Sequence, residues 1–223
     1  MGKSTAFDLI GPVMVGPSSS HTAGAVRLGE MARKILGSEP VDAEIILHGS
    51  FAETGKGHGT NLALVAGLLG MHTDDERIPQ AFEIAKEKGL SFSFTAGNLG
   101  EVHPNTVKMK LVDQEGNKVD VTGSSIGGGR IQIQGINEFQ VEVMGDYHTL
   151  VVLQNDLPGV VAQVTSLIAS TQINIAQMRV SREKKGARAL MIIETDQAID
   201  PAALALMRKL PTVNQAMAIE PLV

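Results

Sequence analysis

Apolar positions first recur at helical spacing in residues 23–36, where Leu28, Ala32 and Ile35 share one face and Gly37 stands as the stop. "VDAEIILHGSF" (41–51) reads as a strand, and "NLALVAGLLG" (61–70) returns to the helical period. A third helix is expected over 78–88, with Ile78, Ala81, Phe82 and Ala85 inward and Gly89 at its end. Beyond it the period drops to two: Phe92 and Phe94 alternate with Ser91 and Ser93, and Val107, Met109 and Leu111 alternate with Lys108 and Lys110. "DQEGN" (113–117) turns the chain into "KVDVTG" as a hairpin, and Phe139, Val141 and Val143 supply a last strand. The pattern predicts an α+β domain over residues 1–145, with mixed or antiparallel pairing in its second half.

A different pattern follows over residues 146–223. "HTLVVLQN" (148–155), "INIAQMRVSR" (173–182), "ARALMIIETD" (187–196) and "VNQAMAIE" (213–220) read as strands. Helical stretches lie at 156–171 and 201–210. The order β-α-β-β-α-β is that of a ferredoxin-like split βαβ unit. "NDLPGVVAQV" followed by "INIAQMRVSR" also resembles the ACT regulatory domain. That resemblance implies amino-acid binding between paired copies, hence homodimerisation, with Asp156, Gly159, Asn174 and Ile175 at the matching positions. Asp156 could pair with an ammonium and Asn174 with a carboxylate or amine, both facing one ligand. The plainer reading is that Pro158-Gly159 form a turn and Asn174 satisfies backbone.

Composition narrows the partners. The chain has 223 residues, 43% hydrophobic and 19% charged, as in an ordinary globular protein with a core. A net charge of −5, with one Tyr and no Trp, leaves neither a basic footprint nor stacking platforms for nucleic acid. No apolar run approaches the roughly 20 residues of a membrane span. The N-terminus lacks a basic flank before an apolar run, so the expected location is the cytoplasm. Without cysteine the chain can donate no thiolate to a metal or cluster.

Four polar stretches punctuate the first domain: "GPSSSHTAGA" (16–25), "HGSFAETGKGHGTN" (48–61), "GNLGEVHPNT" (97–106) and "SSIGGG" (124–129). A helix start needs one capping hydroxyl, yet Ser18, Ser19, Ser20 and Thr22 crowd this one around His21. Gly-rich loops entering helices bind anions through exposed N–H groups, and a carboxylate suits them as well as a phosphate. "TGKG" lacks the residues of a P-loop, and Thr60 stands where a dinucleotide fingerprint needs its third glycine.

Together, and in this order, the four stretches closely resemble the beta-chain family of iron–sulfur-dependent L-serine dehydratases over roughly residues 7 to 145. The resemblance implies conversion of L-serine to pyruvate and ammonia at a [4Fe–4S] cluster whose cysteines belong to a separate alpha chain. It also implies a fold used as an allosteric substrate-binding module in some phosphoglycerate dehydrogenases, so a non-catalytic amino-acid-sensing module is the competing reading. Elimination of water needs a base for the Cα proton, a Lewis acid for the hydroxide and donors for the carboxylate. His21 and His58 are the expected base candidates, undecided between them. Ser18, Ser19, Ser20 and Thr22 are expected to hold the carboxylate. Lys56 could offset charge or simply be an exposed lysine. Asn61 and Asn105 could orient substrate or bond backbone. His103, before Pro104, reads equally as a turn or a site residue. Ser125 and Gly127 could close over the ligand or form a permissive bend. His48 reads as structural, His72 as exposed, and His148 as a strand start.

Overall fold

The computed structural model describes residues 13–54 and 59–222. The chain divides into two compact units, one of residues through Asn137 with Glu142–Met144, the other of Glu138–Val141 with Gly145 onward.

In the first unit a π-helical turn (Ser19–Ala23) runs directly into α1 (Gly24–Leu36), which Gly37 ends at φ 84. β1 (Pro40–Leu47) follows, then α2 (Gly49–Thr54) and α3 (Thr60–Leu68). The strand expected to reach residue 51 stops at Leu47, because Gly49 turns the backbone at φ 51 into the short α2. The expected helix over 78–88 divides into a 3₁₀ turn (Ile78–Gln80) and α4 (Ala81–Glu87), with Pro79 supplying no N–H to the first turn. Phe82 is only half-buried, its ring lying 4.9 Å from Phe92 and 6.3 Å from Phe94.

The strands β2 (Ser91–Ala96), β3 (Thr106–Asp113), β4 (Lys118–Gly127), β5 (Arg130–Ile136) and β6 (Phe139–Val143) complete a sheet in the order β2-β1-β3-β4-β5-β6. β1 runs parallel to β2 and antiparallel to β3, so the sheet is mixed. The alternation in "TVKMKLVD" is visible as burial of Val107, Met109 and Leu111 against part-exposed lysines. α1 packs on β3, β4 and β5, and α3 packs on α1. Those helices meet backbone to backbone. A Cβ at Gly29 would overlap the carbonyl oxygen of Leu64, and one at Gly67 would overlap that of Val26. Pairing of Leu47 with Val107 and of Thr106 with Ser124 sets the end of β1, the start of β3 and the end of β4 at one edge of the sheet.

The second unit contains β7 (His148–Asn155), α5 (Val160–Ser170), β8 (Ile175–Arg182), β9 (Arg188–Thr195), α6 (Pro201–Met207) and β10 (Val213–Ile219). Its sheet has the order β10-β7-β9-β8, antiparallel throughout. Leu150, Val152, Met191 and Ile193 pack with Val164, Ile168 and Met207 of the helices into one core. This is the ferredoxin-like βαββαβ arrangement. Pro201 opens α6, and the Asp200 carboxylate accepts from the N–H groups of Ala202 and Ala203. Among the described residues no helix is long and apolar enough to cross a membrane.

Candidate functional site

The hydroxyl-rich stretch before α1 is more than a cap. Ser18 is extended, at φ −141 and ψ 125, and its Oγ accepts from the His21 backbone N–H at 3.2 Å. The N–H of Gly24 donates to the Ser19 carbonyl, the i→i+5 bond that widens this turn beyond an α-helical one. His21 sits inside that turn. Its Nδ1 lies 3.5 Å from Ser18 Oγ and its Nε2 lies 3.2 Å from Ser50 Oγ, on the first turn of α2. The imidazole also meets the fully buried Phe51 ring edge-on, with centroids 5.5 Å apart and planes at 67°. The imidazole is therefore held on both nitrogens and against an apolar wall.

The four polar stretches close into a ring at the sheet edge. His21 reaches Ser50, joining the first to the second. The His48 N–H donates to the Thr106 carbonyl, and a Cβ at Gly49 would come within 2.7 Å of the Pro104 carbonyl oxygen, joining the second to the third. The Ser125 N–H donates to the Asn105 carbonyl at 2.9 Å, joining the third to the fourth. A Cβ at Gly24 would overlap Ser125 Oγ, which brings the fourth back to the first. Residues about a hundred positions apart thus meet because the end of β1, the start of β3 and the end of β4 lie together there.

Several polar atoms in this region are buried and unpaired among the described residues: Thr22 Oγ1, Thr60 Oγ1, Asn61 Oδ1 and Ser125 Oγ. Thr60 and Ser125 are fully buried. A buried polar group without a partner costs about 1–3 kcal/mol, so such a cluster is retained where something other than the chain satisfies it.

The remaining residues singled out in the sequence fall into two groups. Ser19 and Ser20 are half-buried in the π turn, and Gly127 opens the β4–β5 hairpin at φ 104. His103 is exposed and its Nδ1 accepts from the Asn105 N–H, which is a turn's own bond. Lys56 and His58 lie outside the described residues. His48 Nδ1 accepts from Leu99 N–H and so fastens the loop after β2, while His72 is exposed 3.5 Å from Glu30. Two residues went unrecognised in the sequence. Ser50 was hidden at the end of a stretch read as strand, and Arg27 resembled any polar position on an amphipathic helix. Arg27 donates from Nη1 to the Gly129 carbonyl at 3.1 Å, fastening the glycine hairpin to α1.

In the second unit Asp156 and Asn174 lie apart within one copy of the chain. Asp156 Oδ2 accepts from the Gly186 N–H at 2.9 Å, beside the end of β8. Asn174 donates to Asp196 at 2.8 Å, at the start of the same strand. Eight residues of β8 separate them, about 25 Å of extended chain. Gly159 is an exposed left-handed residue before α5, and Ile175 packs against the core.

A family profile described as serine dehydratase beta chain matches residues 5–135, and the ACT domain profile matches residues 148–212. The chain is 46% identical to a Bacillus subtilis protein described as "Probable L-serine dehydratase, beta chain", over 96% of this chain and 97% of that one. It is 42% identical to the L-serine dehydratase beta chain of Peptoniphilus asaccharolyticus, over 87% and 88%. A D-3-phosphoglycerate dehydrogenase of Synechocystis is 25% identical over 88% of this chain, which spans 35% of that enzyme.

Proposed function

This chain belongs to the serine dehydratase beta-chain family, with an ACT domain behind the beta-chain segment, and we propose that it supplies the substrate-binding and acid–base residues of a cytoplasmic two-chain L-serine dehydratase. The observation that carries this is the ring of contacts through His21, Ser50, Pro104, Asn105 and Ser125, which gathers all four polar stretches beside an imidazole. In this reading Ser18, Ser19, Ser20 and Thr22, with Asn61, Asn105 and Ser125, hold the carboxylate and amine of L-serine. His21, with His58, handles the proton at Cα, since a neutral imidazole suits base chemistry near neutral pH.

The [4Fe–4S] cluster does not fit this chain alone. It has no cysteine, and among the described residues no group of three or more His, Asp or Glu side chains is placed to hold a metal ion. The ligands are assigned to an alpha chain, whose cluster supplies Lewis acidity to the departing hydroxide. The ACT domain is assigned to homodimerisation and to sensing an amino acid.

Anaerobic reconstitution with the alpha chain tests the assignment. Isolated chain should show no iron–sulfur absorption and no turnover, and the pair should form pyruvate from L-serine. Pyruvate made by the isolated chain would overturn the two-chain arrangement. A second reading, a non-catalytic amino-acid-sensing module, is favoured by the similarity to a segment of a phosphoglycerate dehydrogenase. It predicts that an active complex keeps its kcat when His21 is replaced.

A further inference from the structure

We propose that the cleft beside the β8–β9 hairpin binds a small organic polyanion, a phosphate ester or a polycarboxylate, at a site separate from the polar ring of the first unit. Residues 179–188, "RVSREKKGAR", hold Arg179, Arg182, Lys184, Lys185 and Arg188 against the single acid Glu183, in a chain whose net charge is −5. A positive cluster of that density in an acidic protein concentrates anions at one place. β8 is an edge strand of its sheet, and all five of these cationic residues are exposed. The turn that carries them is ordered by its own bonds. The Glu183 N–H donates to the Arg188 carbonyl at 3.0 Å, and the Ala187 N–H to the Lys184 carbonyl at 3.1 Å. The Asp156 carboxylate accepts from the Gly186 N–H at 2.9 Å.

The cleft has a volume of about 430 Å³ and is lined by Arg179, Ser181, Arg182 and Glu183 of the hairpin and by Glu138 and Gln140. Glu138 and Gln140 belong to the same unit as the hairpin, and the Ser181 hydroxyl donates to the Gln140 carbonyl at 3.3 Å, tying the two walls together. That volume lies in the range of small-metabolite sites. Both acids in the wall are held by Arg188, which pairs with Glu138 at 2.7 Å and reaches Glu183 at 3.8 Å. Arg182 lies 3.5 Å from Asp156, at the limit of a hydrogen bond. Arg179 forms no ion pair among the described residues. The cleft therefore keeps the charge of Arg179, and much of that of Arg182, uncompensated. A guanidinium presents paired N–H groups that match two oxygens of a phosphate or carboxylate. Two such groups three positions apart, with two lysines on the adjoining turn, suit a ligand with two or more negative charges.

Calorimetry on the full chain, with inorganic pyrophosphate and citrate as probes in about 0.15 M sodium chloride, tests the site under physiological screening. At least one probe should bind saturably, pyrophosphate marking a phosphate ligand and citrate a polycarboxylate. Arg179→Gln should weaken that binding roughly 10- to 100-fold, the usual loss of a charge-assisted pair. Glu183→Gln removes a negative wall charge and should tighten it about two- to fivefold. Lys118→Gln, an equal charge change at an exposed residue of the first unit, should stay within about twofold of wild type because the distance is screened. The replaced side chains are exposed, so the fold is not at stake. Absence of binding by both probes overturns the site. So does binding that survives Arg179→Gln, or that falls equally in Lys118→Gln, since either outcome means diffuse attraction to surface charge.

Discussion

His21 differs from the other described histidines in what surrounds it. His48 spends its Nδ1 on the Leu99 N–H, His103 on the Asn105 N–H, and His148 pairs with Glu220 at 2.8 Å. His21 faces two serine hydroxyls and an aromatic edge, at the point where the four polar stretches meet. In the reconstituted enzyme His21→Ala should therefore lower kcat by roughly 10²–10⁴. His72→Ala should leave kcat unchanged, because that side chain is 73% exposed and lies 3.5 Å from Glu30, which Lys34 also pairs. Steady-state kinetics on both variants, with circular dichroism to confirm folding, decides the matter. His21 was legible as a candidate because an imidazole amid surplus capping hydroxyls is chemically conspicuous. Ser50 was not, since one serine in a Gly- and polar-rich stretch carries no signal until α2 orients it.

Helices and strands were legible where burial imposed a period. Val107, Met109 and Leu111 alternate because one face of β3 is covered, and the second unit's βαββαβ order shows in its apolar runs. α2 was not legible, because six residues are too few to establish a period. The π turn was not either, since its extra residue changes backbone register without changing composition. The α1–α3 contact is the element on which the site's placement depends, because α1 carries the π turn at its front. A methyl at Gly67 would strike the Val26 carbonyl and the backbone of α1 around Gly29, neither of which can swing aside as a side chain does. Gly67→Ala should destabilise the first unit by about 1–3 kcal/mol, the usual range for overpacking. Denaturant unfolding of the full chain measures it, and an unchanged midpoint would show that the two helices separate freely.

Across the whole molecule, resistance to acid should be uneven. In the first unit, the Ser38 hydroxyl, the Asn117 side chain and the N–H groups of Asn117 and Glu115 hold the Asp113 carboxyl down to about 2 from 3.8. The Arg77 guanidinium does the same for Asp75, also to about 2. Both groups bind protons less readily folded than unfolded, so their stabilisation is complete above about pH 4 and is lost as pH falls towards 2. Acid titration followed by circular dichroism should show first-unit unfolding in that window, and Asp113→Asn should weaken the pH dependence there. The amino-acid sensing proposed for the second unit would carry a different kind of dependence. Asp156 and Asn174 stand at opposite ends of β8, so a single effector molecule that reads both must draw one residue from each of two copies. Occupancy of such a site is second order in protein. By mass action the effector would promote pairing and pairing would promote the effector, each by the same factor. The regulator's apparent potency would then report how much of the protein a cell makes as well as how much effector it contains.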